Sequence, residues 1–249
     1  MKASLTHLVP ALVFLLGGCG STMTTRSELD SSQSNTTKIG PNETVSIILD
    51  RHRHCEDDRK QDCWVYSTSE SEEQAFESCL STSLLKQQAK LNIFPAKEFR
   101  RVAFPDKEFL ASPRNPGAII VLLGDDEFKR RIATTRVHYL IILDSETSNT
   151  GKHWGGDCTG NGCLDFRQTW VRVSNIYATI IDVQHALRFG VAEANATGKA
   201  GYVIPILAYI PVPLPIPFFS ATESRACTGL GQELGQKFFT TPDAAQVAN

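Results

Sequence analysis

The 249-residue chain has almost no net charge: 25 Lys and Arg stand against 27 Asp and Glu, a formal balance of −2. Nothing global draws it to nucleic acid or to anionic lipid. It also lacks Gly-x-Ser-x-Gly, His-Glu-x-x-His and the glycine-rich P-loop, which removes the sequence signatures of a nucleophile elbow, a zincin helix and a phosphate cradle. The apolar run at the amino terminus, Leu8–Leu16, contains Pro10 and stops at Gly17, well short of the roughly 20 residues that a spanning helix needs. Catalysis has no motif to rest on, and the sequence calls for no cofactor.

What the amino terminus does have is an export signal. Lys2 supplies the positive start, Leu8–Leu16 the apolar stretch, and Gly17 and Gly18 the small residues before a cleavage point. The sequence Leu16-Gly17-Gly18-Cys19 resembles the bacterial lipobox, in which the cysteine thiol takes a diacylglyceryl group, the leader is cut off and the new amine is acylated. The resemblance implies that residues 1–18 are a signal peptide and that mature Cys19 anchors the protein to a membrane, since two or more chains hold stably where one binds marginally. Gly20 stands where an aspartate is associated with inner-membrane retention, so the resemblance implies the outer membrane, with the protein facing the periplasm.

Residues 19–43 follow as a lipidated tether. Gly20–Glu43 is almost wholly Ser, Thr, Asn and charge, with too little apolar surface to offset ordering. A flexible coil of this length spans roughly 25–30 Å. The periplasmic domain is expected over residues 44–241, with a short tail at 242–249. Assigning Cys19 to lipid leaves an even set of six cysteines in an oxidising compartment, for which disulfides are the default. Nearness in sequence pairs Cys55 with Cys63 and Cys158 with Cys163, leaving Cys79 for Cys227, one of 15 possible connectivities.

Pattern places the elements. Thr44–Arg53 reads as a strand with a β-branched centre. Ser69-Glu70-Ser71-Glu72 is a capping box opening a helix with Phe76, Cys79, Leu80 and Leu84 on one face. A short strand at Leu91–Pro95, a helix at Ala96–Val102 and a proline-punctuated link over Pro105–Pro116 come next. Ala118–Leu123 fits helix or strand equally. Glu127–Thr134 reads as helix and Arg136–Asp144 as a strand buried on both faces. Thr169–Val183 and Ala186–Ala194 flank Gln184-His185 as arms of a hairpin, in an antiparallel meander. After the apolar connection Lys199–Phe219, Ser220-Ala221-Thr222-Glu223 reads as a second capping box. Its helix carries Cys227, Leu230, Leu234 and Phe238 on one stripe and ends at Pro242. The fold class is α/β (α+β): a mixed sheet with an antiparallel meander and flanking helices.

This order of parts, with the Phe94-Pro95-x-x-x-Phe99 pattern and the Ile180-Ile181-Asp182-Val183 strand end, resembles the periplasmic α/β domain of the TolB amino-terminal domain, LpoB-type lipoproteins and the curli secretion channel. The resemblance covers Thr44–Phe239. It implies action by binding other envelope proteins or by assembly, and carries over no catalytic residue.

Three stretches stand out. His52 and His54 share a strand face beside Cys55, acidic residues and Cys63, a set of donors suited to zinc or copper; a solvated loop closed by a disulfide explains the same residues. Asp157, Thr159, Asn161 and Asp165, with Gly162, follow EF-hand spacing until Gln168 replaces the bidentate glutamate, and a disulfide-pinned turn accounts for them equally. Gly201–Phe219 is apolar and interrupted by Pro205, Pro211, Pro213, Pro215 and Pro217, which forbid helix and interior pairing. It is either a cover over the sheet edge or a partner-binding surface built on Tyr202, Ile204, Ile206, Tyr209, Ile210, Leu214, Phe218 and Phe219. The function expected is a non-enzymatic envelope lipoprotein binding another envelope protein. The rivals are a metal-binding or enzymatic protein using the His52–Cys63 region, and a subunit of a membrane-associated oligomer.

Overall fold

The structure, a computed structural model, describes residues 22–30, 38–56, 63–66, 69–88, 90–156, 158–159, 162–163, 165–207, 210–211, 216–218 and 221–240. The strands are β1 (Thr22–Leu29), β2 (Thr44–Glu56), β3 (Cys63–Tyr66), β4 (Asn92–Ile93), β5 (Tyr139–Gly155), β6 (Cys158–Thr159), β7 (Gly162–Cys163), β8 (Asp165–Asp182), β9 (Leu187–Leu207), β10 (Ile210–Pro211) and β11 (Ile216–Phe218). The helices are α1 (Glu70–Gln87), α2 (Ala96–Ala103), α3 (Pro116–Leu123), α4 (Asp126–Ala133) and α5 (Thr222–Lys237). The sheet runs β1-β9-β8-β5-β2-β3, with β4 on β2 and with β10 and β11 on β9. The β2–β5 and β2–β4 pairs are parallel and the other ladders of the sheet are antiparallel. The expected α/β class, with its meander, is what the chain forms.

Helices cover both faces, which is why the strand centres are apolar without interruption. Val45, Ile47, Leu49, Ile141, Leu143, Ile176 and Ile180 pack in one cluster with Phe76, Leu80, Leu84, Leu230 and Leu234 of α1 and α5. The alternate residues Ile48, Leu140 and Ile142 pack with Phe99, Ile119, Leu123, Phe128 and Ile132 of α2, α3 and α4. The ambiguous Ala118–Leu123 segment is therefore helix, started by Asn115, whose side chain accepts from the Gly117 and Ala118 N–H groups. At α1 the capping box forms as written: Ser69 Oγ accepts from the Glu72 N–H at 3.2 Å and Glu72 Oε2 from the Ser69 N–H at 2.8 Å.

Four expectations need correction. The tether is not uniformly coil, because Thr22–Leu29 pairs residue for residue with Thr197–Gly190 of β9, and Ile39 is buried and bridges Phe239. Backbone ladders, reinforced by Ser27 and Thr25 donating to Glu233, order a stretch whose side chains bury little. The apolar connection is strand over its first half: Lys199–Pro205 continues β9 against β8, Ile206 and Leu207 pair with β10, and Pro205, opposite Asp165, lies between the residues that meet β10 and β11. The second capping box does not form, since α5 is capped by Ala221 without a side-chain bond and Glu223 is held elsewhere. Nor does α5 reach Pro242: it ends at Lys237 and Phe239 joins Ile39.

Candidate functional site

Past their apolar centres β2 and β5 run on with mostly polar side chains, and a bulge decides which of them face which way. In the parallel β2–β5 ladder Leu49 stands opposite Leu143, then the register shifts so that Arg51 meets Asp144 and His52 meets Ser145. The extra residue is Asp50. Without it, strict alternation would carry Arg51 and Arg53 onto the face of Leu49; with it, that face receives His52 and His54. On the opposite face Arg51 binds Asp144 at 2.5 Å, and Arg53 reaches Glu146 at 3.2 Å and Asp144 at 3.5 Å. Burial pushes the Asp50 carboxyl up, with Asp144 adding to the shift, against the opposing pull of Arg51.

On the α1/α5 face, His52 is 7% exposed, and its ring lies 5.4 Å from that of Phe76 and 5.9 Å from that of His54. Glu223, in the first turn of α5, completes the group: one donor atom from each of His52, His54 and Glu223 lies within 4.8 Å of the others. The Glu223 Oε1 atom accepts from Arg172 Nη2 at 2.6 Å and from Thr147 Oγ1 at 3.1 Å. The Ser174 hydroxyl lies beside this group, its Oγ 3.2 Å from Thr147 Oγ1, and donates to Thr222 Oγ1 at 2.9 Å. Burial pushes the Glu223 carboxyl up, but the Arg172 charge and hydrogen bond, the nearby His52 and the Thr147 bond outweigh it and hold it below the usual range.

Helix α5 cannot drift from this position. Cys227, one turn beyond Glu223, is joined by a disulfide to Cys79, one turn beyond the Phe76 that packs on His52. Pairing by nearness expects that bridge. Cys55 is also disulfide-bonded and stands opposite Cys63; Cys158 and Cys163 are register partners in the β6–β7 ladder. Cys63, Cys158 and Cys163 are placed by backbone alone, as are Thr159 and Asp165 of the calcium-type loop, while Asp157, Asn161 and Cys19 lie outside the described residues.

Of the apolar surface candidates, Tyr202 is exposed and its ring lies 5.5 Å from that of Trp170. Ile204 and Ile206 are placed by backbone in β9, Ile210 in β10 and Phe218 in β11, while Tyr209, Leu214 and Phe219 lie outside the described residues. Trp154, absent from the sequence-derived candidates, is 72% exposed near the end of β5. Glu223 was also missed, because Ser-x-x-Glu ahead of an apolar stripe reads as a cap. Only the fold brings Arg172 and Thr147 to it.

No family model matches the chain, and no curated protein matches it. Among solved structures it is similar to the PelC dodecamer from Paraburkholderia phytofirmans, with 13% identity over 88% of this chain and 100% of that one and a TM-score of 0.37. It is similar to lipoprotein GNA1162 from Neisseria meningitidis, with 13% identity over 63% of this chain and 83% of that one and a TM-score of 0.23. A third is protein XCC0632 from Xanthomonas campestris, of family DUF330, with 9% identity over 80% and 89% and a TM-score of 0.30. These figures assign the chain no role. Among the described residues no helix is long and apolar enough to cross a membrane.

Proposed function

We propose that this is a lipid-anchored, non-enzymatic accessory of the bacterial outer membrane, and that it binds another envelope protein with the end of its sheet nearest the anchor. The observation that carries the reading is the register of β1. Thr22 follows the lipobox Cys19 by three residues, a reach of at most about 10 Å, and it stands opposite Thr197 of β9. This register supports an anchor at the end where β9 continues past Thr197 toward Leu207 and is joined by β10 and β11. That end carries the apolar-rich strand pieces Gly201–Leu207, Ile210–Pro211 and Ile216–Phe218, together with the exposed Tyr202 and Trp154. Amphipathic aromatic rings beside an apolar segment suit a surface held at the bilayer boundary and covered by a hydrophobic partner. A reach this short supports a fixed orientation at the membrane in place of a long flexible tether.

A photocrosslinking amino acid at Trp154, at Tyr202 and, on the opposite end of β9, at Leu187 tests this in intact cells. The expected result is one abundant envelope protein captured from Trp154 and Tyr202 and none from Leu187. Capture from Leu187 alone, or mass spectrometry finding Cys19 unmodified, would overturn it. Lipid adducts alone at Trp154 and Tyr202 would replace the protein partner with the bilayer.

A further inference from the structure

We infer that His52, His54 and Glu223 form a site for a divalent transition-metal ion of the zinc and copper class. The inference is independent of the contact surface proposed above. Two imidazoles two residues apart on one strand, and a carboxylate from a facing helix, make a His2Glu donor set, which holds zinc with three protein ligands and leaves one position for water. The donor atoms already lie within 4.8 Å of one another. An ion at about 2.1 Å from each would set them roughly 3.4 Å apart, a closure of at most about 1.4 Å.

Three further observations point to a ligand. First, Nδ1 of His52 is buried with no hydrogen-bond partner among the described residues, a cost that a ligand reaching that atom removes. Second, Glu223 is held by the Arg172 guanidinium and the Thr147 hydroxyl, as the outer partners of a ligating carboxylate hold it; both bonds end on Oε1, leaving Oε2 for an ion. Third, the frame is rigid: the Asp50 bulge turns both histidines to this face, and the Cys79–Cys227 disulfide fixes α5 against α1 one turn away. His54 and Glu223 are half-buried, so an ion enters from their side.

Equilibrium dialysis of the intact protein in detergent against zinc chloride alone tests the site, with cobalt(II) absorption as a second readout of donor number and geometry. We expect about one ion per chain and a tetrahedral or five-coordinate cobalt spectrum. Glu223→Gln and His54→Ala should each weaken binding by at least tenfold and alter the spectrum, and Arg172→Met should weaken it by roughly 10–100-fold. His138→Ala, His153→Ala and His185→Ala combined should leave it intact. His52→Ala is paired with His52→Phe, which keeps the contact with Phe76, so that loss of folding is not mistaken for loss of binding. No stoichiometric binding, or binding that survives Glu223→Gln with His54→Ala, would overturn the assignment. So would binding lost with the three outlying histidines.

Discussion

Gly231 of α5 lies against Ser83 of α1, so close that a Cβ on the glycine would stand 2.4 Å from the serine Cβ. One turn earlier the same two helices are joined by Cys79 and Cys227, and one turn later Gly235 meets Gln87. All three pairs have the same separation of 148 residues, so the helices run parallel with their turns in step. The apolar stripe of α5 then falls on the sheet and Glu223 falls over the histidines.

Gly231→Ala should destabilise the domain. Alanine gains about 1 kcal/mol of helix propensity over glycine, and overpacking against Ser83 costs about 1–3 kcal/mol, so a net loss of about 1 kcal/mol is expected. The midpoint of urea unfolding reads it, and a higher midpoint would sink the close-approach account. Cys79→Ser with Cys227→Ser should cost about 2–4 kcal/mol and weaken zinc binding at the neighbouring site.

The buried pair Glu73–Arg100 predicts an unusual double-mutant result. Arg100 reaches Glu73 Oε1 at 2.5 Å and Oε2 at 3.0 Å, while Glu73 Oε1 also accepts from the Leu49 N–H at 2.9 Å. Breaking an ion pair buried like this by Glu73→Leu or Arg100→Met alone should cost about 3–5 kcal/mol. Replacing both members of such a pair is often neutral. Here the Leu49 N–H loses its acceptor as well, so the double variant should stay about 1–3 kcal/mol short of the parent. Chemical denaturation of the four proteins measures this; full recovery in the double variant would show that Leu49 does not depend on the pair.

Much of the fold was legible because it is written locally. Ser69 and Glu72 stand at capping-box spacing, the two arms about Gln184-His185 alternate as strands do, and an even cysteine set left Cys79 with Cys227. What stayed hidden depends on residues distant in sequence. Thr22–Leu29 looks like coil until β9 offers it a ladder, and Lys199–Pro205 looks like a link until β8 does. Glu223 looks like a cap until Arg172 and Thr147 arrive. The candidate metal group was half visible: two histidines two residues apart announce a shared strand face, but which face depends on one extra residue, Asp50. A bulge leaves no mark on hydrophobic alternation when the four residues beyond it, Arg51 to His54, are all polar.

Acid titration should expose Glu223. Its folded pKa is held below the ordinary glutamate value near 4.5, so the ionised group contributes stability at pH values above that, and this is lost as pH falls through the folded value. Glu223→Gln should therefore lower the melting temperature at pH 6, and the gap to the parent should narrow below about pH 4.5. A gap that is constant with pH would mean that Arg172 does not favour the charged form.

Asp50 predicts the opposite sign, which separates the bulge residue from the site it serves. Its carboxyl is raised above the ordinary aspartate value of 3.8, chiefly by burial, so at pH 7 the folded state holds an ionised group that it disfavours. Asp50→Asn keeps the size, and with it the one-residue insertion that aims His52 and His54, while removing the charge. The melting temperature at pH 7 should rise, and the advantage should shrink as pH falls through the raised folded value toward 3.8, where the parent carboxyl becomes neutral in both states. Zinc binding should persist, because the histidines stay on their face. If Asp50→Asn melts lower at pH 7, the pairing with Arg51, at 3.8 Å, outweighs the burial and the carboxylate is what holds the bulge in place.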